Sequence, residues 1–364
     1  MNFIFIVQGE GRGHMTQAIS LFQILKASGH EIGHVIVGKS KRRELPEFFV
    51  QNIDAPITQL ESPNFITDRN SKSVSVFKTL FVNLVRLPIY LTSTQKIDQI
   101  VKQEKPDTII NFYDFLSGLY FLLKRPKTTH IALAHQFLLS HPEFEFPKGR
   151  IYDRLSLITG NKLAGYKAKK LLCLSFRPMR DDPKNGLIVV PPLLREEIKT
   201  QEVSDKDFFL VYMVNHGYAD QVRLFHRNHP ELKIHCFWDK KGEPEELKEG
   251  NLTFHRLNDK KFINLMSSCK GYLSTAGFES ICEAMFMGKP VLMVPVKGHY
   301  EQSCNAIDAK RAGAGISSQN FDLELLLEYL PLYKPVKDDF TAWIQQTNKL
   351  FLQNLVENDH SVFR

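Results

Sequence analysis

Ser274-Thr275-Ala276-Gly277-Phe278-Glu279-Ser280-Ile281-Cys282-Glu283 follows the apolar run Gly271-Tyr272-Leu273, and the join between them decides how the chain folds. A short β run that ends in small hydroxyl and glycine residues, then passes at once into helical periodicity, reads as a βα unit. The start of such a helix presents backbone N–H groups and the positive end of the helix dipole, which suits an anion such as a pyrophosphate. Glu283 lies about a turn and a half further on, at a depth suited to accepting hydrogen bonds from ribose hydroxyls. Taken alone, these ten residues are better explained as a capped helix with Glu283 toward solvent.

The pattern repeats on both sides. Short β runs at 208–214, 233–237, 252–255 and 291–295 alternate with helix-length segments at 260–268, 277–287 and 302–312. Further upstream, runs at 3–7, 32–37, 108–112, 130–134, 171–175 and 187–190 do the same, with a helix at 15–28 ending at Gly29. Strands separated by helices predict α/β units with parallel sheets covered on both faces. Pro191-Pro192 and the polar stretch at 195–207 interrupt the alternation. The reading is an N-terminal Rossmann-like domain at 1–197, a linker at 198–207 and a second Rossmann-like domain at 208–335. A helix at 336–364 is expected to cross back to the first domain.

After the first β run stands Gln8-Gly9-Glu10-Gly11-Arg12-Gly13-His14. Glycines there let the backbone turn sharply and approach a ligand. The pattern is G-x-G-x-G, not the G-x-G-x-x-G of a dinucleotide site, and the second strand ends in Gly38-Lys39 where an acid would be needed. An NAD-dependent oxidoreductase is therefore a poor fit. A tight turn with His14 merely opening a helix fits as well as a functional loop does.

Beyond Glu283 the chain continues Gly288-Lys289-Pro290-Val291-Leu292-Met293-Val294-Pro295, then Gly298-His299-Tyr300-Glu301-Gln302-Ser303-Cys304-Asn305-Ala306, then Ala312-Gly313-Ala314-Gly315. In order and spacing, Gly277, Glu283, Gly288, Pro290, Pro295, Gln302, Asn305 and Gly313 resemble the nucleotide-sugar glycosyltransferases of GT-B architecture. The similarity is to the UDP-glycosyltransferase and peptidoglycan N-acetylglucosaminyltransferase group, and it extends to Gly13-His14. It implies an α/β fold of two Rossmann-like parallel-sheet domains facing a cleft. It also implies that Gly277 and Ser280, with Phe278 between them, cradle the donor diphosphate, that Glu283 takes the ribose, and that Glu301-Gln302 grip the sugar. Arg256, in Phe254-His255-Arg256-Leu257, falls in the stretch similar to the one that reads the base. His14 matches the general base, and Asp114 the residue that orients it, although a bare Asp there is more often a helix cap. Gly11 and Gly13 are placed on the acceptor side. His135, in a loop that follows a strand and also holds His141, reads first as a plain loop residue and second as lining the acceptor side. The pair is usually Asp-Gln where this chain has Glu301-Gln302, and Gln17 stands where proline is usual; the sugar's identity is left open.

The 364 residues carry a formal charge of +7, but the basic residues are dispersed, with small clusters at 39–43 and 167–170. No nucleic-acid module accompanies them, so nucleic acid is not an expected partner. No uncharged apolar run reaches the ~18 residues of a membrane span, and the five scattered cysteines fit reduced thiols in a cytoplasmic protein. Residues 74–91 mix aliphatic and aromatic side chains with Lys78 and Arg86. They read as a buried helix first, and second as an acceptor wall or peripheral contact with the inner membrane face. Asp205-Lys206-Asp207 has the D-x-D spacing of metal-dependent transferases but reads as solvated charge, and no zinc-spaced cluster exists. The resulting expectation is an inverting, metal-independent transferase with no cofactor. It would use a nucleotide-sugar donor, a UDP-sugar first, and an unidentified acceptor of lipid or glycan type. The alternatives are an epimerase or phosphorylase on the same fold, or a nucleotide-sugar-binding protein without turnover.

Overall fold

The computed structural model describes residues 1–39, 45–64, 82–213, 216–240 and 242–356. Residues 40–43 of the basic cluster and 74–81 of the apolar stretch lie outside them. The chain forms two compact units. One comprises Met1–Phe144, Gly149–Arg195 and the chain from Trp343 on; the other comprises Glu145–Lys148 and Glu196–Ala342.

The first unit is built on a seven-stranded sheet: β1 (Asn2–Val7), β2 (Glu31–Lys39), β3 (Ile57–Glu61), β4 (Thr108–Phe112), β5 (Thr129–Ala134), β6 (Lys170–Leu174) and β7 (Leu187–Val190). Their order is β3-β2-β1-β4-β5-β6-β7, with every pair parallel. Central strands of such sheets are covered on both faces, which is why Phe3-Ile4-Phe5-Ile6-Val7 is apolar without alternation and fully buried. Helices α1 (Arg12–Ala27), α2 (Leu87–Glu104), α3 (Phe115–Lys124) and α4 (Ile151–Ala164) connect the strands. The strand order reverses between β1 and β4. In open α/β sheets ligands bind beyond the carboxyl ends of the strands at such a switch point.

The second unit repeats the plan with β8 (Phe209–Tyr212), β9 (Ile234–Trp238), β10 (Glu246–Glu249), β11 (Leu252–Arg256), β12 (Gly271–Ser274), β13 (Val291–Met293) and β14 (Gly315–Ser317). The order is β10-β11-β9-β8-β12-β13-β14, and only the β10–β11 pair is antiparallel. Its switch point lies between β8 and β12, at the strand that feeds α5 (Phe278–Phe286); α6 (Tyr300–Arg311) follows β13.

Three stretches differ from their sequence reading. The 198–207 segment is packed onto the second unit: Ser204 N and Lys206 N donate to Ser267 O and Ser268 O, and the buried Lys289 ammonium donates to Ser204 O and to the Asp205 carboxylate, each at 2.6 Å. Asp205 is thus a lysine's counter-charge and Asp207 bonds Lys270, and both carboxylates remain largely exposed, as solvated charges are. Of the 74–91 stretch, the described part is not a buried helix: Tyr90 is inside, while Leu84 and Val85 are 69% and 65% exposed. Where a single helix is expected at 336–364, the described residues form two, Lys337–Ile344 and then α7 (Thr347–Leu355). In the first unit α7 rests against β7, and Trp343 Nε1 donates to Ser175 O at 3.0 Å.

Candidate active site

In the first unit two loops leave the switch point, one after β1 and one after β4. The β1 loop passes close to the end of β2: a Cβ at Gly9 would lie 1.8 Å from Gly38 O, so only glycine fits. Gly11 then caps α1 with no side-chain bond, Gly13 sits in the first turn, and His14 follows, 7% exposed. His14 Nδ1 lies 3.3 Å from Gln17 Oε1, one helical turn along. The ring stacks on Tyr113 with centroids 5.8 Å apart and planes 19° from parallel.

Tyr113 has φ +60°, a conformation that a bulky aromatic residue adopts only when its surroundings compel it. The compulsion is visible. Its hydroxyl donates to Asn161 Oδ1 at 2.7 Å, and Asn161 Nδ2 donates to Gln136 O at 2.6 Å. On its other side Asn111 accepts from Asp114 N and donates to Asp114 O, closing the turn. The strained turn thereby places an aromatic face under the imidazole.

Asp114 stands at the same sheet end as His14, yet its bonds go elsewhere. Its Oδ1 accepts from Leu116 N at 2.8 Å, capping α3, and from Ser62 Oγ at 2.6 Å. Oδ2 is buried, with no hydrogen-bond partner among the described residues. Burial raises the carboxyl from its ordinary range to about 6, against the lowering effect of the Ser62 and Leu116 bonds. His135, after β5, is also buried, with Nδ1 2.7 Å from Leu174 O. A carbonyl can only accept, so Nδ1 carries the proton.

In the second unit β12 ends at Ser274, and Ala276 adopts φ +60° as the chain turns into α5. Asn305 of α6 donates to Ala276 O at 3.1 Å and braces the turn. Gly277 is the helix N-cap, and as glycine it supplies no side-chain cap to α5. Ser280 Oγ lies 3.3 Å from both Ser274 Oγ and Gly277 O. Phe278 and Glu283 are buried on the same helix. Gln302 Oε1 accepts from Val296 N at 2.8 Å, which fixes the amide; Glu301 precedes it in the first turn of α6, half-buried. Arg256 is exposed at the carboxyl end of β11, whereas the neighbouring His255 is buried against His235 at 2.9 Å. Burial, helped by the Lys261 charge, lowers His255 to about 4 and keeps it neutral.

Four residues around these loops were not singled out as site residues in the sequence: Gln17, Ser62, Tyr113 and Asn161. Gln17 had a signal, because side chains three apart on a helix share a face. Nothing local marks Tyr113 as left-handed or brings Asn161 to it from 48 residues away. Among the described residues no group of three His, Cys, Asp or Glu side chains is placed to hold a metal ion, and no helix is long and apolar enough to cross a membrane. All five cysteines are buried thiols outside any disulfide.

Residues 1–332 match the family model described as glycosyl transferase family 1. The chain belongs to that family. This glycosyltransferase has the GT-B fold, as solved structures of low identity show. UGT2 of Phytolacca americana, complexed with UDP-2-fluoro-glucose and pterostilbene, is 12% identical with a TM-score of 0.61 over 97% of this chain and 96% of that one. UGT89C1 of Arabidopsis thaliana, complexed with quercetin, is 15% identical with a TM-score of 0.64 over 98% of each chain. MurG of Acinetobacter baumannii is 14% identical with a TM-score of 0.57 over 97% of this chain and 98% of that one. No curated protein matches the sequence.

Proposed function

We propose that the glycosyltransferase moves a sugar from a UDP-sugar to a hydroxyl acceptor with inversion, without a metal ion or cofactor, and with His14 as general base. The observation that carries this reading is the His14 site: an imidazole buried beyond the switch point, seated on a strained tyrosine and bonded along its own helix. A hydroxyl is a weak nucleophile at neutral pH, and histidine is the side chain best suited to take its proton as the new bond forms. The acceptor oxygen bonds to the anomeric carbon and the proton passes to the imidazole. The bond from that carbon to the β-phosphate oxygen breaks, and its electron pair leaves with the nucleoside diphosphate. One displacement inverts the centre.

The developing negative charge would be met by the N-terminus of α5, which begins at Gly277 without a side-chain cap and presents the positive end of the helix dipole. Ser280 adds a hydroxyl, Glu283 takes the ribose, and Gln302 holds the sugar hydroxyls with Glu301. The UDP assignment draws support from the Phytolacca americana enzyme, whose structure holds a UDP-sugar analogue. The acceptor is proposed to be a lipid or glycan, met at the inner membrane face from the cytoplasm. The exposed Leu84, Val85, Leu87, Ile89 and Leu91 support that placement.

The test is a donor panel followed by a variant. UDP or a UDP-sugar, among UDP, dTDP, GDP, CDP and ADP with their sugars, should stabilise the protein by ~2.7 kcal/mol at a hundred times its dissociation constant. His14→Ala should then lower turnover by roughly 10²–10⁴ with donor affinity unchanged, and chelator should leave wild-type turnover intact. A His14→Ala enzyme that fails only through donor binding overturns the base assignment.

A further inference from the structure

We propose that Gln17, rather than Asp114, is the residue that orients the His14 imidazole, and that it does so by fixing the proton on Nδ1. This rests on His14 acting as the base, but concerns how the ring is held.

Gln17 is 3% exposed and presents Oε1 to His14 Nδ1 at 3.3 Å from the next turn of α1. An amide oxygen has no proton to give. For the two atoms to bond, the imidazole must donate, so Nδ1 carries the hydrogen and Nε2 keeps its lone pair. Nε2 is then the nitrogen that receives the acceptor's proton. The ring's other edge agrees with this: Cδ2, beside Nε2, faces the glycine turn, 3.7 Å from where a Cβ at Gly11 would stand. Glycine there keeps a side chain off that edge of the ring. Tyr113 covers one face of the ring, so the helix, the stack and the amide together set position, tilt and tautomer.

Asp114 is committed elsewhere. One oxygen caps α3 and takes the Ser62 hydroxyl, and the other lies 2.1 Å from where a Cβ at Gly38 would stand, toward the end of β2. A buried amide differs from a carboxylate in one consequence: it fixes the tautomer without adding a negative charge that would hold the protonated ring. The base in this chain is oriented but not electrostatically reinforced by its partner.

The decisive readout is the tautomer of His14, measured by ¹⁵N NMR on uniformly labelled, unliganded protein, with His14→Gln used to assign the signal. Wild type should show the Nδ1–H form, and Gln17→Leu should mix the two tautomers while Asp114→Asn leaves them unchanged. Gln17→Glu should move the His14 titration upward by roughly one pH unit or more, with the rising limb of kcat against pH following it. Wild-type protein with the proton on Nε2, or a tautomer that responds to Asp114→Asn and not to Gln17→Leu, overturns the proposal. Because the NMR arm needs no turnover, its failure is separable from failure of the base assignment, which His14→Ala kinetics report.

Discussion

The Asp114 carboxylate occupies the space that a side chain at Gly38 would need: a Cβ built at position 38 falls 2.1 Å from Asp114 Oδ2 and 3.0 Å from Ser62 Cβ. Position 38 is not left-handed, so room and not backbone freedom makes it glycine. Gly38→Ala should push the carboxylate off its cap and its serine, at a loss of about 1–3 kcal/mol in denaturant unfolding. The double variant Gly38→Ala/Asp114→Ala should lose clearly less than the two single losses added, because both remove the same contacts. Additive losses would mean that the two positions do not compete for space.

Asp114 also gives stability a pH dependence of known sign. Its carboxyl is raised in the folded chain to about 6, from an ordinary value of 3.8, so the folded state binds the proton more tightly than the unfolded one. The contribution is fully present below the unfolded value and is lost as pH rises through about 6, roughly 3 kcal/mol in all. Asp114→Asn, which keeps an oxygen for the cap, should flatten the unfolding free energy between about pH 4 and 6. A slope in that window unchanged by Asp114→Asn would place its origin in other groups.

Glu283 is buried on α5, six residues past its glycine cap. If it accepts the ribose hydroxyls, Glu283→Gln should weaken UDP binding by roughly 1–3 kcal/mol in titration calorimetry, while the fold survives because the amide fills the same volume. Unchanged affinity in a folded variant removes it from the donor site.

The exposed apolar side chains at 84–91 lead to a flotation experiment. Wild-type protein should float with vesicles rich in phosphatidylglycerol at low salt, and Leu84→Asn/Val85→Asn should lower the floated fraction several-fold. Protein that stays at the bottom of the gradient with those vesicles ends the membrane reading.

How far the sequence could be read depended on burial. The strands at the centre of each sheet are covered on both faces, so β4 and β12 appear as apolar runs with their true limits. Two edge strands, β3 and β10, do not. Ile57-Thr58-Gln59-Leu60-Glu61 mixes polar and apolar residues, and Glu246-Leu247-Lys248-Glu249 has one apolar side chain. Each is a strand only because a partner strand, β2 or β11, supplies the ladder. The site divides the same way. The turn into α5 is legible because helix starts and glycine caps are local signals, whereas the seat of His14 is not. It depends on Tyr113, Asn161 and Gln136, which meet only through tertiary hydrogen bonds. Asp114 shows the cap that its residue type predicts, and the step from a family's acid to a partner of His14 is the part that the local contacts do not repeat.

Trp343 and its hydrogen bond to Ser175 have a consequence for biosynthesis. The first unit draws part of its own packing, Trp343 and α7 against β7, from residues that follow the second unit in the chain. On the ribosome, therefore, the first unit to emerge is the last to be completed, and the entire second unit can fold while the β7 side of the first still waits for its cover. A premature stop near residue 342 would spare every strand of both sheets and still leave the earlier-made half unfinished.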